Sequence, residues 1–169
     1  MSDPSTRLFD YLENLGIETR THEHVPLFTV EDSQSLRGDL PGLHAKNLFM
    51  KDKKDVLWLL VVEENTQVRM NQLHKALGCA RLSFGKPELL LETLGITPGS
   101  VTPFALINDR DRKVNFAIDA KLANGDILNF HPLRNDRTTT IQSGDLMKFI
   151  TSLGYATRII DFEMETVLF

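Results

Sequence analysis

The chain has 169 residues, 41% hydrophobic and 25% charged, which suits one folded domain over 1–169 with room for a core. Its 19 Lys and Arg against 23 Asp and Glu leave a net charge of −4, which excludes a strongly basic, sequence-independent nucleic-acid surface. Any RNA contact has to be local. One cysteine, Cys79, excludes an internal disulfide framework, and the opening Met1-Ser2-Asp3-Pro4-Ser5 lacks the charged-then-apolar order of a secretion signal. The longest apolar run, 56–62, is far too short to span a bilayer, so a cytoplasmic domain is expected.

Ser5 reads as the N-cap of a helix over 7–15, in which Leu8, Phe9, Leu12 and Leu15 recur at helical spacing before Gly16. Residues 17–24 alternate as a strand that Pro26 breaks. Thr29 and Asp32 have capping-box-like spacing for a short helix to about Leu36, and 38–42 form a loop around Pro41. Two apolar runs, 46–50 and 56–62, flank the polar 51–55 and predict a β-hairpin whose second strand, apolar on both faces, is central. Residues 68–77 read as a helix stopped by Gly78, and 81–84 as a short strand. A further helix over 87–94 has Pro87 in its first turn and Gly95 beyond its end.

After the loop 98–103, a strand is predicted over 104–107. Asn124-Gly125, between the runs 114–122 and 126–130, is a strong hairpin signal. A strand over 138–141, a helix over 143–153 capped by Ser143, and a strand over 157–160 complete the order. The elements are mixed rather than alternating. The expected class is therefore α+β, one domain with a mixed, largely antiparallel sheet flanked by helices.

Three short motifs carry candidate chemistry. Lys46-Asn47 opens an apolar strand, where a lysine can reach a phosphate or carbonyl from a cleft rim or can simply be a solvated edge residue. In Gly99-Ser100-Val101-Thr102-Pro103, glycine frees the backbone and two prolines stiffen the ends. Such a turn can aim N–H groups at one point, or can merely connect a helix to a strand. His131, pinned by Pro132 at a strand end, can orient a substrate or titrate near neutrality, though histidines there are more often structural. His22 and His24 lie two apart, but no third ligand has matching spacing, so no metal and no cofactor are expected. Cys79 has no nucleophile signature, and no GxSxG, Walker-A or GxGxxG pattern occurs. The acidic pairs around Glu63-Glu64 and Asp109-Asp111 read as solvated.

In order, Lys46-Asn47, Gly99 to Pro103 and Asn129-Phe130-His131-Pro132-Leu133 resemble the YbaK/ProX family of prolyl-tRNA editing domains. The resemblance also takes in His22 to His24, Phe28 to Glu31, 57–65 and 138–141, essentially the whole chain. It implies a free-standing deacylase, with that family's fold, that hydrolyses mischarged tRNA-Pro, alanine being the expected amino acid. It implies Lys46 beside the ester and terminal phosphate, with the Gly99 backbone in the catalytic turn. The same resemblance sets Asn47, Ser100, Val101, Thr102, Pro103 and His131 around the amino acid, together with Phe28 and Thr29. Lys46 and Arg81 are the expected tRNA contacts, with Lys86 and Lys75 as further members of a basic patch. The implied partners are the acceptor end of tRNA-Pro and prolyl-tRNA synthetase, with no DNA and no membrane. The alternative is a module of the same fold that binds aminoacyl-tRNA or a synthetase without catalysis.

Overall fold

The structure, a computed structural model, describes residues 3–26 and 40–163 and the backbone of 166 and 167. In chain order the helices are α1 (Pro4–Asn14), α2 (Leu73–Leu77), α3 (Pro87–Leu94), α4 (Ala120–Ala123) and α5 (Ser143–Ser152). The strands are β1 (Thr19–Glu23), β2 (Leu43–Asp52), β3 (Leu57–Glu63), β4 (Leu82–Phe84), β5 (Val114–Asp119), β6 (Ile127–Phe130), β7 (Arg137–Gln142), β8 (Arg158–Asp161) and β9 (Thr166–Val167). They form one sheet in the order β1-β7-β6-β2-β3-β5-β8-β9, with β4 paired to β2 as a branch. Pairs β1–β7, β6–β7, β2–β3, β2–β4 and β8–β9 are antiparallel; β2–β6, β3–β5 and β5–β8 are parallel. The mixed, largely antiparallel sheet expected from the sequence is present.

Strand β3 is buried along its whole length, as its unbroken apolar run predicts. Its side chains alternate between two cores. Leu57, Leu59 and Val61 face the larger, which α1, α3, α5 and residues 103–107 cover. Trp58, Leu60 and Val62 face the smaller, closed by Leu73 of α2, Met70 and Phe162. The β2–β3 hairpin and α3, with Pro87 at its start and Gly95 in the left-handed region at φ +68°, match the sequence reading.

Several expectations are corrected. Residues 114–130 do not form a hairpin, because β5 lies between β3 and β8 while β6 lies between β7 and β2. The Asp119 side chain accepts from Lys121 N and opens the helical turn α4, and Asn124 ends that turn at φ −93° instead of entering a left-handed hairpin turn. Gly125 serves packing instead, since a Cβ there would come within 2.8 Å of Leu43. Residues 103–108 form a 3-10 helix rather than a strand, started by the Thr102 hydroxyl accepting from Phe104 N. The helix expected over 68–77 is only the five residues of α2. Neither predicted serine cap is a cap: Asp3 caps α1, and Ser143 is the first residue of α5, its hydroxyl donating to the carbonyls of Leu122 and Ala123. The helix predicted from Thr29 to Leu36 lies outside the described residues.

The 3-10 segment is locked by Asp109, which is buried rather than solvated. Its carboxylate accepts from Lys113 N, Val114 N and the Tyr155 hydroxyl, the last at 2.7 Å. Burial, reinforced by this hydrogen bond, raises the Tyr155 pKa and keeps the phenol protonated as a donor. A hydrogen bond to a charged, buried acceptor contributes roughly 1.5–3 kcal/mol. Tyr155→Phe is therefore expected to lower unfolding free energy by about 2 kcal/mol in urea titration without changing the slope; a loss under about 0.5 kcal/mol would show that Asp109 does not depend on this donor.

Candidate active site at the open edge of strand β2

Strands β6 and β2 pair in parallel only at Leu43–Leu128 and His44–Asn129, and then separate. Gly42 permits the close start, at φ +98° and with Ile127 O only 2.7 Å from where a Cβ would sit. On the same side, β4 pairs with β2 only from Met50 onward. Residues 45–49 thus have no ladder partner on this side among the described residues. The Phe49 carbonyl accepts from Gly85 N on this side, whereas the His44 carbonyl accepts from Glu64 N on the β3 side. By the two-residue period, the Ala45 carbonyl and the Asn47 main-chain N–H and C=O turn into the gap, the Ala45 N–H being used by the His44–Asn129 pairing.

Lys46 and Asn47 project to opposite faces. Asn47 lies opposite Val61 and so faces the larger core, while Lys46 lies opposite Val62 on the other face. The Asn47 Oδ1 is buried without a hydrogen-bond partner among the described residues. An orphaned buried acceptor costs on the order of 1–3 kcal/mol, which a donor from a ligand would recover. The Lys46 ammonium donates to the Thr66 carbonyl.

His131 follows β6 directly. Continuing the parallel register by two residues brings it level with Lys46 across the gap. Its loop is fixed from several directions: the Ser5 hydroxyl donates to the Pro132 carbonyl, and Asp3 pairs with Arg134 at 3.3 Å and Arg137 at 2.7 Å. Leu133 is held in the left-handed region at φ +69°. The His131 Nδ1 lies 2.7 Å from the Arg137 carbonyl. A carbonyl only accepts, so Nδ1 carries the hydrogen and the neutral ring presents Nε2 as an acceptor. Burial holds the His131 pKa below its ordinary value, outweighing the Arg137 carbonyl, which favours the charged ring; neighbouring His24 adds to the depression.

The 99–103 turn lies on the larger-core side. Val101 packs against that core, Thr102 and Pro103 are buried, and Phe104 meets Phe130 edge-on at 5.9 Å between ring centres. Phe130 leads straight into His131. Asn47 and Val101 thus lie on the larger-core side of the β2 edge, whereas His131, which follows the core residue Phe130 and is level with Lys46, lies on the Lys46 side. Gly99 and Ser100 belong to a 3-10 turn (Pro98–Ser100), and Ser100 N donates to the Thr97 carbonyl. That amide is engaged, so it is not an available oxyanion donor, and the right-handed turn does not draw on the backbone freedom of Gly99.

Arg81 is exposed just before β4, with its carbonyl accepting from Lys53 N. Phe28 and Thr29 lie outside the described residues. His24 binds Thr138 through Nε2 and lies 6.1 Å from the His131 ring, whereas His22 is exposed on β1; no group of three potential metal ligands occurs among the described residues. Cys79 is half-buried, and burial together with Asp52 raises its thiol pKa, which disfavours a nucleophile. A groove of about 890 Å³ runs between α1 and the β1–β7–β6 face, but none of the predicted site residues lines it.

The sequence reading missed Thr66, Glu63, Asp119 and Lys121. Glu63 is buried, not solvated, and accepts from Asn65 N and the Thr66 hydroxyl. Asp119 ending an apolar run was the one local signal, as an N-cap.

A family model for the aminoacyl-tRNA editing domain matches residues 24–149. The chain is 37% identical over 166 residues to prolyl-tRNA synthetase associated domain-containing protein 1 of Xenopus laevis, covering 95% of this chain and 98% of that protein. It is 28% identical over 151 residues to the prolyl-tRNA editing protein ProX of Acetoanaerobium sticklandii, covering 89% and 92%. A solved structure of a candidate trans-editing enzyme for prolyl tRNA synthetase shares the fold at a TM-score of 0.69 and 18% identity, over 93% of this chain and 96% of that one. The chain belongs to the aminoacyl-tRNA editing domain family, the YbaK/ProX family that its motifs resemble.

Proposed function

We propose that the protein is a trans-acting deacylase of mischarged tRNA-Pro, with alanine as the amino acid it removes. The observation that carries the reading is the unpaired edge of β2, with the buried, unpartnered Asn47 acceptor on one face and Lys46, level with His131, on the other. In a chain of the editing family, such a gap offers a place for a small aminoacyl group.

In this reading the aminoacyl group enters over the edge, where both faces of β2 are within reach. Asn47 presents an acceptor suited to an α-ammonium group, and His131 borders the opening from the Lys46 face. Lys46 holds the anionic acceptor terminus. The Gly99 to Pro103 turn shapes the pocket with Val101 and Thr102. Arg81 contacts the acceptor strand. Water adds to the ester carbonyl carbon, its proton relayed through a free ribose hydroxyl that orients it and gives its own proton to the departing ester oxygen. The tetrahedral intermediate then breaks its bond to the ester oxygen, which leaves protonated as ribose hydroxyl, releasing alanine and intact tRNA. Orientation and electrostatics carry such a reaction without a side-chain base.

Discrimination by size explains the need. A synthetase pocket shaped for proline rejects a smaller side chain by only about 1–3 kcal/mol, so a second pocket that admits alanine and excludes proline restores fidelity. The work takes place in the cytoplasm beside prolyl-tRNA synthetase, the intended partner.

Lys46→Ala is expected to abolish release of alanine from Ala-tRNA-Pro while the circular-dichroism spectrum stays unchanged. Full activity in that folded variant would remove Lys46 from the mechanism and favour the binding-module alternative. In a panel of tRNA-Pro charged separately with alanine, cysteine, serine and proline, alanine should leave fastest and proline at least 100-fold more slowly, on the order of 3 kcal/mol of exclusion. Comparable release of proline would end the size-exclusion reading.

A further inference from the structure

Strands β3, β5 and β8 run parallel, so Glu63, Asp119 and Asp161 all end at the same rim of the sheet. Strand β2 runs antiparallel to β3, which brings Lys46 to that rim as well. Carboxyl ends of parallel strands are where open sheets commonly bind ligands. Thr66 lies here, buried, and two ammonium groups converge on it: Lys46 donates to its carbonyl and Lys121 Nζ to its hydroxyl at 3.1 Å.

The arrangement is fixed from behind. Asp119 accepts from Glu63 N through one carboxylate oxygen at 3.0 Å and from Lys121 N through the other at 3.1 Å, tying the end of β3 to the turn bearing Lys121. Glu63 Oε2 in turn engages the Thr66 hydroxyl. Lys121 also pairs with Glu163 at 2.5 Å; the two side chains are 44% and 57% exposed. A surface pair of this kind contributes little to stability and is readily exchanged for another anion.

We propose that Lys121 is a second phosphate-binding residue: held beside Lys46 by the shared Thr66, it forms with it a two-lysine cradle for a phosphodiester of the acceptor end. Glu163 occupies Lys121 until the RNA phosphate displaces it. This deepens the functional reading above and rests on it for the identity of the ligand. It also explains how a chain of net charge −4 grips RNA, by two cations placed on one residue rather than by a basic face. Thr66 is a positioning residue, since it meets the RNA only through the lysines.

The test is the salt dependence of binding to an uncharged tRNA-Pro acceptor minihelix, measured by fluorescence anisotropy. Each phosphate contact contributes roughly 0.7–0.9 to the slope of log K against log salt. Lys121→Ala should reduce the slope by about that amount, Lys121→Arg should restore it, and Thr66→Val, which keeps the carbonyl, should reproduce the loss. Glu163→Gln should tighten binding several-fold at low salt by freeing Lys121. A general loss of structure would weaken binding without changing the slope in this pattern. An unchanged slope in Lys121→Ala with unchanged affinity in Glu163→Gln overturns the proposal, as does failure of the wild type to bind the minihelix. Deacylation of the alanine-charged minihelix by the wild type is scored separately and reads the functional proposal alone.

Discussion

The candidate site depends on a limit to strand pairing: β6 accompanies β2 for two residue pairs and then departs, while β4 joins only after a further five residues. A fully paired β2 would spend the Ala45 carbonyl and the Asn47 main-chain groups on its neighbour and leave no opening. The gap exists because residues on both sides hold the departing strand elsewhere. Asp3, Ser5, Arg134 and Arg137 clamp the chain after His131, and the edge-on contact of Phe104 with Phe130 ties the end of β6 to the 3-10 segment. That segment is anchored in turn by Asp109 and Tyr155. Elements far apart in sequence thus converge on five residues of one strand.

The fold was legible where hydrophobic period and strand register are local matters. The β2–β3 hairpin and α3 follow from apolar runs with charged or glycine boundaries, and the structure keeps them. The reading of 114–130 went wrong because Asn-Gly was weighed as a turn by itself, while the Asp119 side chain and the distant parallel partner β3 decide that segment. Residues 104–107 show a different ambiguity: four apolar residues fit a buried strand or a buried helical turn equally well, and the Thr102 cap settles it.

The site was legible only in part. Lys46, Asn47 and His131 stand out through their motifs, and their being strand neighbours already required Lys46 and Asn47 to face opposite ways. Thr66 and Lys121 carry no local signal. A threonine after a strand and a lysine in a short helical turn are ordinary surface residues until the parallel ends of β3 and β5 bring them together. Glu63 and Asp109 looked solvated although most of their partners are near in sequence, Asn65 N and the Thr66 hydroxyl for Glu63 and Lys113 N and Val114 N for Asp109; only the Tyr155 hydroxyl comes from a distant element.

The most direct examination of the account is a crystal structure with a non-hydrolysable acceptor analogue, an adenosine 5′-phosphate carrying alanine through a 3′-amide. The account predicts the alanyl group in the gap beside 45–49, its ammonium within hydrogen-bond reach of Asn47 Oδ1 and the phosphate on the Lys46 rim. An analogue seated instead in the groove between α1 and β1, with the β2 edge empty, would contradict it.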